Sequence, residues 1–333
     1  MKQTNSVPPP QDSKRDDRSL WRQVVSLFAW NRDSKILLSI FFLTIGLIIY
    51  VWWPLAEELL SYIDWTGSWW LYMDWLLLGI FLFMSIAIVS RADLRLDSVT
   101  ILVAALGGLV IESWGTQTNL WHYYTAERPP LWIIPAWPIA TLTINRIVLV
   151  LDVLFKNKNA QFLSGATDRE RSQRAVSPST SSFDYTDPGF RYGLRPTQPS
   201  ASPPFRNWGL LKTAYWLLFT GFFALMLYFV APTFDKSYTL LSILLVALLI
   251  ITPTDYRLAL LTFIAGAGLG YFLELWGTTR ECWTYYTFQK PPLFAVLAHG
   301  MAAVAFWRTE LLVKMVWSKI KPRRFFAEKI AGD

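Results

Sequence analysis

Apolar residues in this 333-residue chain fall in long blocks, some interrupted by Gly, Pro, Glu or Arg, with neither the period of an amphipathic helix nor that of a half-buried strand. Blocks of this length match the hydrocarbon thickness of a bilayer, which an α-helix of about 20 apolar residues crosses. They lie near 35–53, 71–90, 98–116, 131–152, 209–231, 238–253, 257–276 and 292–316. In lipid the backbone must satisfy its own hydrogen bonds, so such blocks predict helices. The expected fold class is therefore all-α, a polytopic integral membrane protein of about eight transmembrane helices. A content of 53% hydrophobic and 16% aromatic residues agrees with a membrane chain and excludes an ordinary soluble core.

Charge supplies the orientation. The net charge of +7 does not mark a nucleic-acid-binding surface, because 23 of the 31 Lys and Arg lie in five segments, 1–35, 91–97, 156–207, 253–257 and 318–333. The intervening loops hold only Arg128, Lys236, Arg280 and Lys290. Positive residues concentrate on the cytoplasmic side, which predicts cytoplasmic termini; the expected location is the plasma membrane. The expected organisation is a cytoplasmic segment over 1–34, partly disordered, and a membrane unit over 35–155. A flexible Ser-, Pro- and Arg-rich cytoplasmic linker over 156–207, a second membrane unit over 208–317 and a basic tail over 318–333 complete it. No cleavable signal peptide is expected before the first apolar block.

The two membrane units carry the same phrase. "IESWGTQTNLWHYYTAERPPLW" starts at Ile111 and "LELWGTTRECWTYYTFQKPPLF" at Leu273. A constant shift of 162 takes Asp93 to Asp255, Gly108 to Gly270, Glu112 to Glu274, Trp114 to Trp276, Gly115 to Gly277 and Thr116 to Thr278. It also takes Trp121 to Trp283, Tyr123 and Tyr124 to Tyr285 and Tyr286, Pro130 to Pro292 and Arg146 to Arg308. A gapless match of that length reads as an internal repeat. With four spans in each copy, both enter the membrane from the same side. That predicts two parallel four-helix repeats about an axis along the membrane normal, and a site built from both.

Glu112 and Glu274 are the candidate catalytic residues. An ionisable group inside an apolar helix is expensive and marks function by default. The competing assignment is interhelical glue, each carboxyl bonding a neighbouring Trp or Tyr. Ala104, Gly108, Glu112 and Thr116 share one helical stripe, as do Gly266, Gly270, Glu274 and Thr278, so a helix or flat ligand can approach closely there. Trp114, Thr116, Trp121, Tyr123 and Tyr124, with Trp276, Thr278, Trp283, Tyr285 and Tyr286, are the candidate substrate pocket, against an interfacial aromatic belt as the plainer alternative. Asp93 with Arg146 and Asp255 with Arg308 are expected structural ion pairs. His122 and His299 lack a second histidine, cysteine or carboxylate at ligand spacing, so no metal is expected, and no cofactor.

Glu112, Gly115, Thr116, Tyr124 and Pro130, repeated as Glu274, Gly277, Thr278, Tyr286 and Pro292, form a pattern that resembles the carotenoid hydratase family of integral membrane proteins, the bisanhydrobacterioruberin hydratase type. The resemblance covers about 25 residues in each half. Where that family tends to carry Pro-Phe-Gly before the aromatic pair, this chain has Leu120, Trp121 and His122, or Cys282, Trp283 and Thr284. The resemblance implies acid–base chemistry on an isoprenoid. The residues read alone allow the same: a protonated carboxyl can protonate an alkene, aromatic faces can hold the cation, and a second carboxyl can act as base. The expected partner is a membrane lipid or apolar small molecule. A proton-coupled transporter or flippase, and a non-catalytic scaffold acting through its linker, are the other classes open to such a chain.

Overall fold

The computed structural model describes residues 30–170 and 208–320, with side chains over 30–155 and 209–317. The expected disorder before residue 30, most of the linker and most of the basic tail lie outside the described residues. In chain order the elements are α1 (Arg32–Val51), the short α2 (Trp53–Ser61), α3 (Trp75–Val89), α4 (Leu94–Gln117), β1 (Trp121–Tyr123) and α5 (Ala136–Glu170). The chain continues with α6 (Trp208–Val230), α7 (Ser237–Ile251), α8 (Tyr256–Thr279), β2 (Trp283–Tyr285) and α9 (Leu293–Ile320).

The protein is mostly helical, and six helical stretches of 20 to 25 residues are long and apolar enough to cross a membrane. They are Arg32–Val51, Leu94–Gln117, Leu131–Phe155, Gly209–Thr233, Tyr256–Thr279 and Leu293–Trp317. Large apolar side chains such as Leu43, Leu82, Val110 and Leu217 point outward, as a lipid-facing surface requires. The other two expected spans, α3 and α7, have 15 residues each, which at 1.5 Å per residue is about 22 Å and falls short of a hydrocarbon core of about 30 Å. Residues at the start of the expected 71–90 span are taken by a 3₁₀ turn over Trp69–Leu71 and by Asp74, whose carboxylate caps α3 through Leu77 N–H. At the far end of α7, Thr252 turns extended before Pro253, which disfavours helix at the preceding residue. In the other direction, α5 runs on through residues 156–170, which the sequence had placed in the linker. Lys, Ala, Gln, Leu and Glu there are good helix formers and carry the helix past its apolar part.

Four helices form the centre. α8 packs on α9, α4 on α5, α5 on α8 and α4 on α9, while α1 and α3 flank one side and α6 and α7 the other. Glycine sets the closest of these approaches: a Cβ on Gly266 would stand 2.8 Å from the His299 carbonyl oxygen, and one on Gly300 2.6 Å from that of Phe263. Behind α8, Tyr215 and Phe219 of α6 stack on each other, Phe219 and Phe222 meet Phe263 edge-on, and Phe222 and Phe229 stack on Phe294.

Adding 162 to the bounds of α3, α4 and β1 returns those of α7, α8 and β2. Both α4 and α8 end the same way. Asn119 and Glu281 take left-handed backbone, at φ 59° and 56°, and the amides three residues past each helix, those of Leu120 and Cys282, close back onto Gly115 O and Gly277 O, both at 2.9 Å. This wrap satisfies carbonyls that the helix end would otherwise leave bare. It also throws the next residues, β1 and β2, across the helix ends. The strands pair antiparallel, Trp121 with Tyr285, His122 with Thr284 and Tyr123 with Trp283. Tyr124 N–H to Cys282 O and Tyr286 N–H to Leu120 O extend the ladder.

Candidate carboxylate site between the paired strands

Glu112 lies 18 residues into α4, about 27 Å from its start and about 8 Å from its end. It is only 4% exposed, as is Glu274 on α8. Burying a carboxyl without partners is prohibitive, so its hydrogen bonds decide what it is. Three side chains reach Glu112: Trp121 Nε1–H donates to Oε2 at 3.1 Å, and Tyr123 Oη–H and Trp137 Nε1–H donate to Oε1 at 3.0 and 3.2 Å. Glu274 is met likewise, by Trp283 Nε1–H at 2.9 Å on Oε2 and Tyr285 Oη–H at 2.8 Å on Oε1. His299 Nε2 lies 2.9 Å from the same Oε1.

Local backbone explains why these rings can reach. The wrap after each helix returns the strand over the last helical turns, and alternate strand residues point the same way. Trp121 and Tyr123 therefore both face Glu112, while His122 between them is exposed. Glycines make the room. A Cβ on Gly115 or Gly277 would sit 1.9 Å from the Trp121 or Trp283 ring, and one on Gly108 or Gly270 would sit 2.3 or 2.4 Å from Trp137 or His299. The small-residue stripe thus admits a helix, α5 or α9, and the ring that this helix sends to the carboxyl.

The two clusters touch. Trp121 lies against Tyr285 and Tyr123 against Trp283, each pair with ring centroids 5.9 Å apart, and Trp137 stacks on His299 at 5.9 Å and 21°. Both glutamates, with these six rings, border a cavity of about 730 Å³ whose other walls are almost wholly apolar, among them Met84, Leu106, Phe222 and Ala302. That volume suits a drug-sized or lipid-chain ligand. Trp52, at the junction of α1 and α2, also lines it, with its ring 5.0 Å from that of Trp276.

Not every expected pocket residue belongs to it. Trp114 and Trp276 line the cavity and send their N–H groups to Thr239 Oγ1 at 3.2 Å and Asp74 Oδ2 at 2.7 Å. Thr116 and Thr278 do not: each hydroxyl donates at 2.6 Å to a backbone carbonyl one turn back, that of Glu112 or Glu274, so they brace the glutamate's helix and leave its carboxyl alone. Nor do Tyr124 and Tyr286. Strand alternation turns them the other way, and their hydroxyls bond Val51 O and Phe229 O, fixing the strands to the ends of α1 and α6.

Both expected ion pairs are corrected as well. Arg146 bonds Asp97 at 2.7 Å, with both side chains buried, and Asp93 accepts from Arg95 N–H and Leu96 N–H as the N-cap of α4. A cap must point along its own helix axis, which turns Asp93 from α5 and leaves Asp97, one turn on, to face it. Asp255 caps α8 in the same manner through Leu258 N–H, and Arg308 grips the end of α7 instead. It reaches the carbonyls of Leu249, Thr252 and Pro253 and the Thr252 hydroxyl. Position 259 is Ala, so no counterpart of Asp97 stands there.

Trp137 and His299 escaped the sequence reading as glutamate partners. Each stands 25 residues after its glutamate, a signal hidden by their different chemistry. Among the described residues no three His, Cys, Asp or Glu side chains gather as a metal site. Compared with known families, curated proteins and solved structures, the chain matches none.

Proposed function

We propose that this protein is an eight-span α-helical membrane enzyme that carries out acid–base chemistry on an isoprenoid or other apolar lipid, as a hydratase, cyclase or isomerase. One observation carries the reading: two buried carboxyl groups, each held by three fixed side chains, border the same apolar cavity. Fixed donors around a dry site stabilise charge without reorganising, and the aromatic walls offer ring faces to a carbocation. A carboxyl there can protonate an alkene, and the cation is then quenched by water, by ring closure or by loss of a neighbouring proton. No cofactor takes part. The resemblance to the carotenoid hydratase family points to the same substrate class.

Two parallel four-helix repeats frame the site in this reading, with the 15-residue α3 and α7 as shortened crossings that the bilayer meets by thinning, and both termini in the cytoplasm of a plasma-membrane protein. Support comes from the coincident element bounds and from the strand pair. An antiparallel ladder has local two-fold symmetry, and its centre, His122 with Thr284, is itself a pair related by the shift of 162.

The test is mass spectrometry of total lipids and pigments from cells lacking the gene, complemented with wild type, Glu112→Gln or Glu274→Gln at equal protein level. The expected result is a lipid that changes by one water, or keeps its mass and changes retention, with wild type and not with Glu274→Gln. Identical profiles in all strains, together with solute flux that follows a proton gradient, would favour a transporter in its place.

A further inference from the structure

The two glutamates differ by one partner, Trp137 against His299. An indole N–H donates a hydrogen bond and does nothing else, whereas an imidazole nitrogen can give or take a proton. Around Glu112 stand two indoles and a phenol; around Glu274 stand one indole, a phenol and the imidazole. His299 also lines the cavity, and its side chain keeps 20% of its surface exposed. Trp137 stacks on one face of the imidazole, separating it from Glu112.

We infer that the two halves of the site have divided the work: Glu274 and His299 share one mobile proton and form the pair that lends it to substrate and takes it back, while Glu112 is a fixed counter-charge. The inference rests on the proposed function and refines it. In the first step the N–H or O–H bond of the pair breaks. Its proton joins an alkene carbon through the π electrons, leaving the neighbouring carbon cationic opposite the Glu112 carboxylate. In the second step the pair regains a proton, either from a carbon next to the cation, whose C–H electrons form a new double bond, or from a water whose oxygen has bonded to the cation. Each cycle returns the pair to its starting state.

Exchanging the two partners tests this directly. Positions 137 and 299 both rest on a glycine, Gly108 or Gly270, so each has the clearance for a ring. The lipid conversion of the preceding section should fall at least a hundredfold in His299→Trp and in His299→Gln, which keeps an N–H donor without a titrating nitrogen. Glu112→Gln should retain measurable turnover. The double variant Trp137→His, His299→Trp should recover activity and depend on Glu112, with Glu274→Gln now tolerated. Full activity in His299→Gln, or equal loss from the two glutamate substitutions, would overturn the division.

A second measurement needs no substrate. The chain has two histidines, so ¹⁵N-histidine NMR of the whole protein in lipid nanodiscs, with His122→Gln as background, isolates His299. Its Nε2 signal should move with Glu274→Gln and stay with Glu112→Gln. An unmoved signal in Glu274→Gln would refute the shared proton. A moved signal with no lipid conversion by wild type would uphold the pair and remove the enzyme reading.

Discussion

Replacing Gly277 with alanine should open the glutamate site from behind. The new Cβ would stand 1.9 Å from Cη2 of Trp283, so the indole must retreat by about 1.5 Å to reach an ordinary contact of 3.4 Å. That displacement takes its N–H away from Glu274 Oε2, now 2.9 Å distant. Overpacking costs about 1–3 kcal/mol, and a lost hydrogen bond about 0.5–1.5 kcal/mol. A total of about 3 kcal/mol raises the population of the locally open state roughly a hundredfold. Cys282, the only cysteine, reports it: the side chain is 2% exposed, its amide closes the helix end on Gly277 O, and burial pushes its thiol up to about 12. Maleimide labelling of Gly277→Ala in nanodiscs should therefore run about a hundred times faster than in wild type. Gly268→Ala is the control, because a Cβ there meets nothing within 4 Å. Equal labelling rates for Gly277→Ala and Gly268→Ala would refute the reasoning.

Further outcomes follow from the same contacts. Arg146→Met breaks the buried ion pair with Asp97 and should cost about 3–5 kcal/mol in reversible unfolding. Asp93→Ala removes the N-cap of α4 and should cost at least about 1 kcal/mol, and a double-mutant cycle of Asp93 with Arg146 should show no coupling. Trp121→Phe deletes one of the three donors to buried Glu112 and should lower stability by about 1–3 kcal/mol, more than Trp114→Phe, whose partner Thr239 keeps the Thr233 hydroxyl. The raised Cys282 thiol stays protonated in the folded chain while the unfolded thiol ionises near 9. Its contribution to stability is thus complete below pH 9 and lost as pH rises toward 12, and Cys282→Ala should flatten that part of a melting-temperature profile.

The long apolar blocks and the repeated phrase were legible in the sequence because each records a strong constraint, the bilayer thickness and a gapless shift. Glu112, Glu274, Trp121, Trp283, Tyr123 and Tyr285, which line the cavity, were legible as one candidate group from the same repeated phrase. Tyr124 and Tyr286 were misassigned because residue type says aromatic while strand parity decides which way the ring points. The ion pairs failed by one helical turn: Asp93 and Asp255 were chosen for their repetition, yet the buried charge fell to Asp97, which is not repeated. Trp137 and His299 hold equivalent places beside Glu112 and Glu274, but only the fold puts an indole and an imidazole in one role. α3 and α7 ended early because caps and a proline act locally, beneath the resolution of an apolar window.

The most direct test of the central claim is carbon-bound deuterium. Purified protein in nanodiscs containing the apolar lipids of its own membrane would be incubated in D₂O and the lipids extracted for mass spectrometry. Acid–base chemistry at the glutamate pair predicts a lipid that gains deuterium at carbon with wild type and does not with Glu274→Gln. Lipids free of carbon-bound deuterium in both samples would contradict the account.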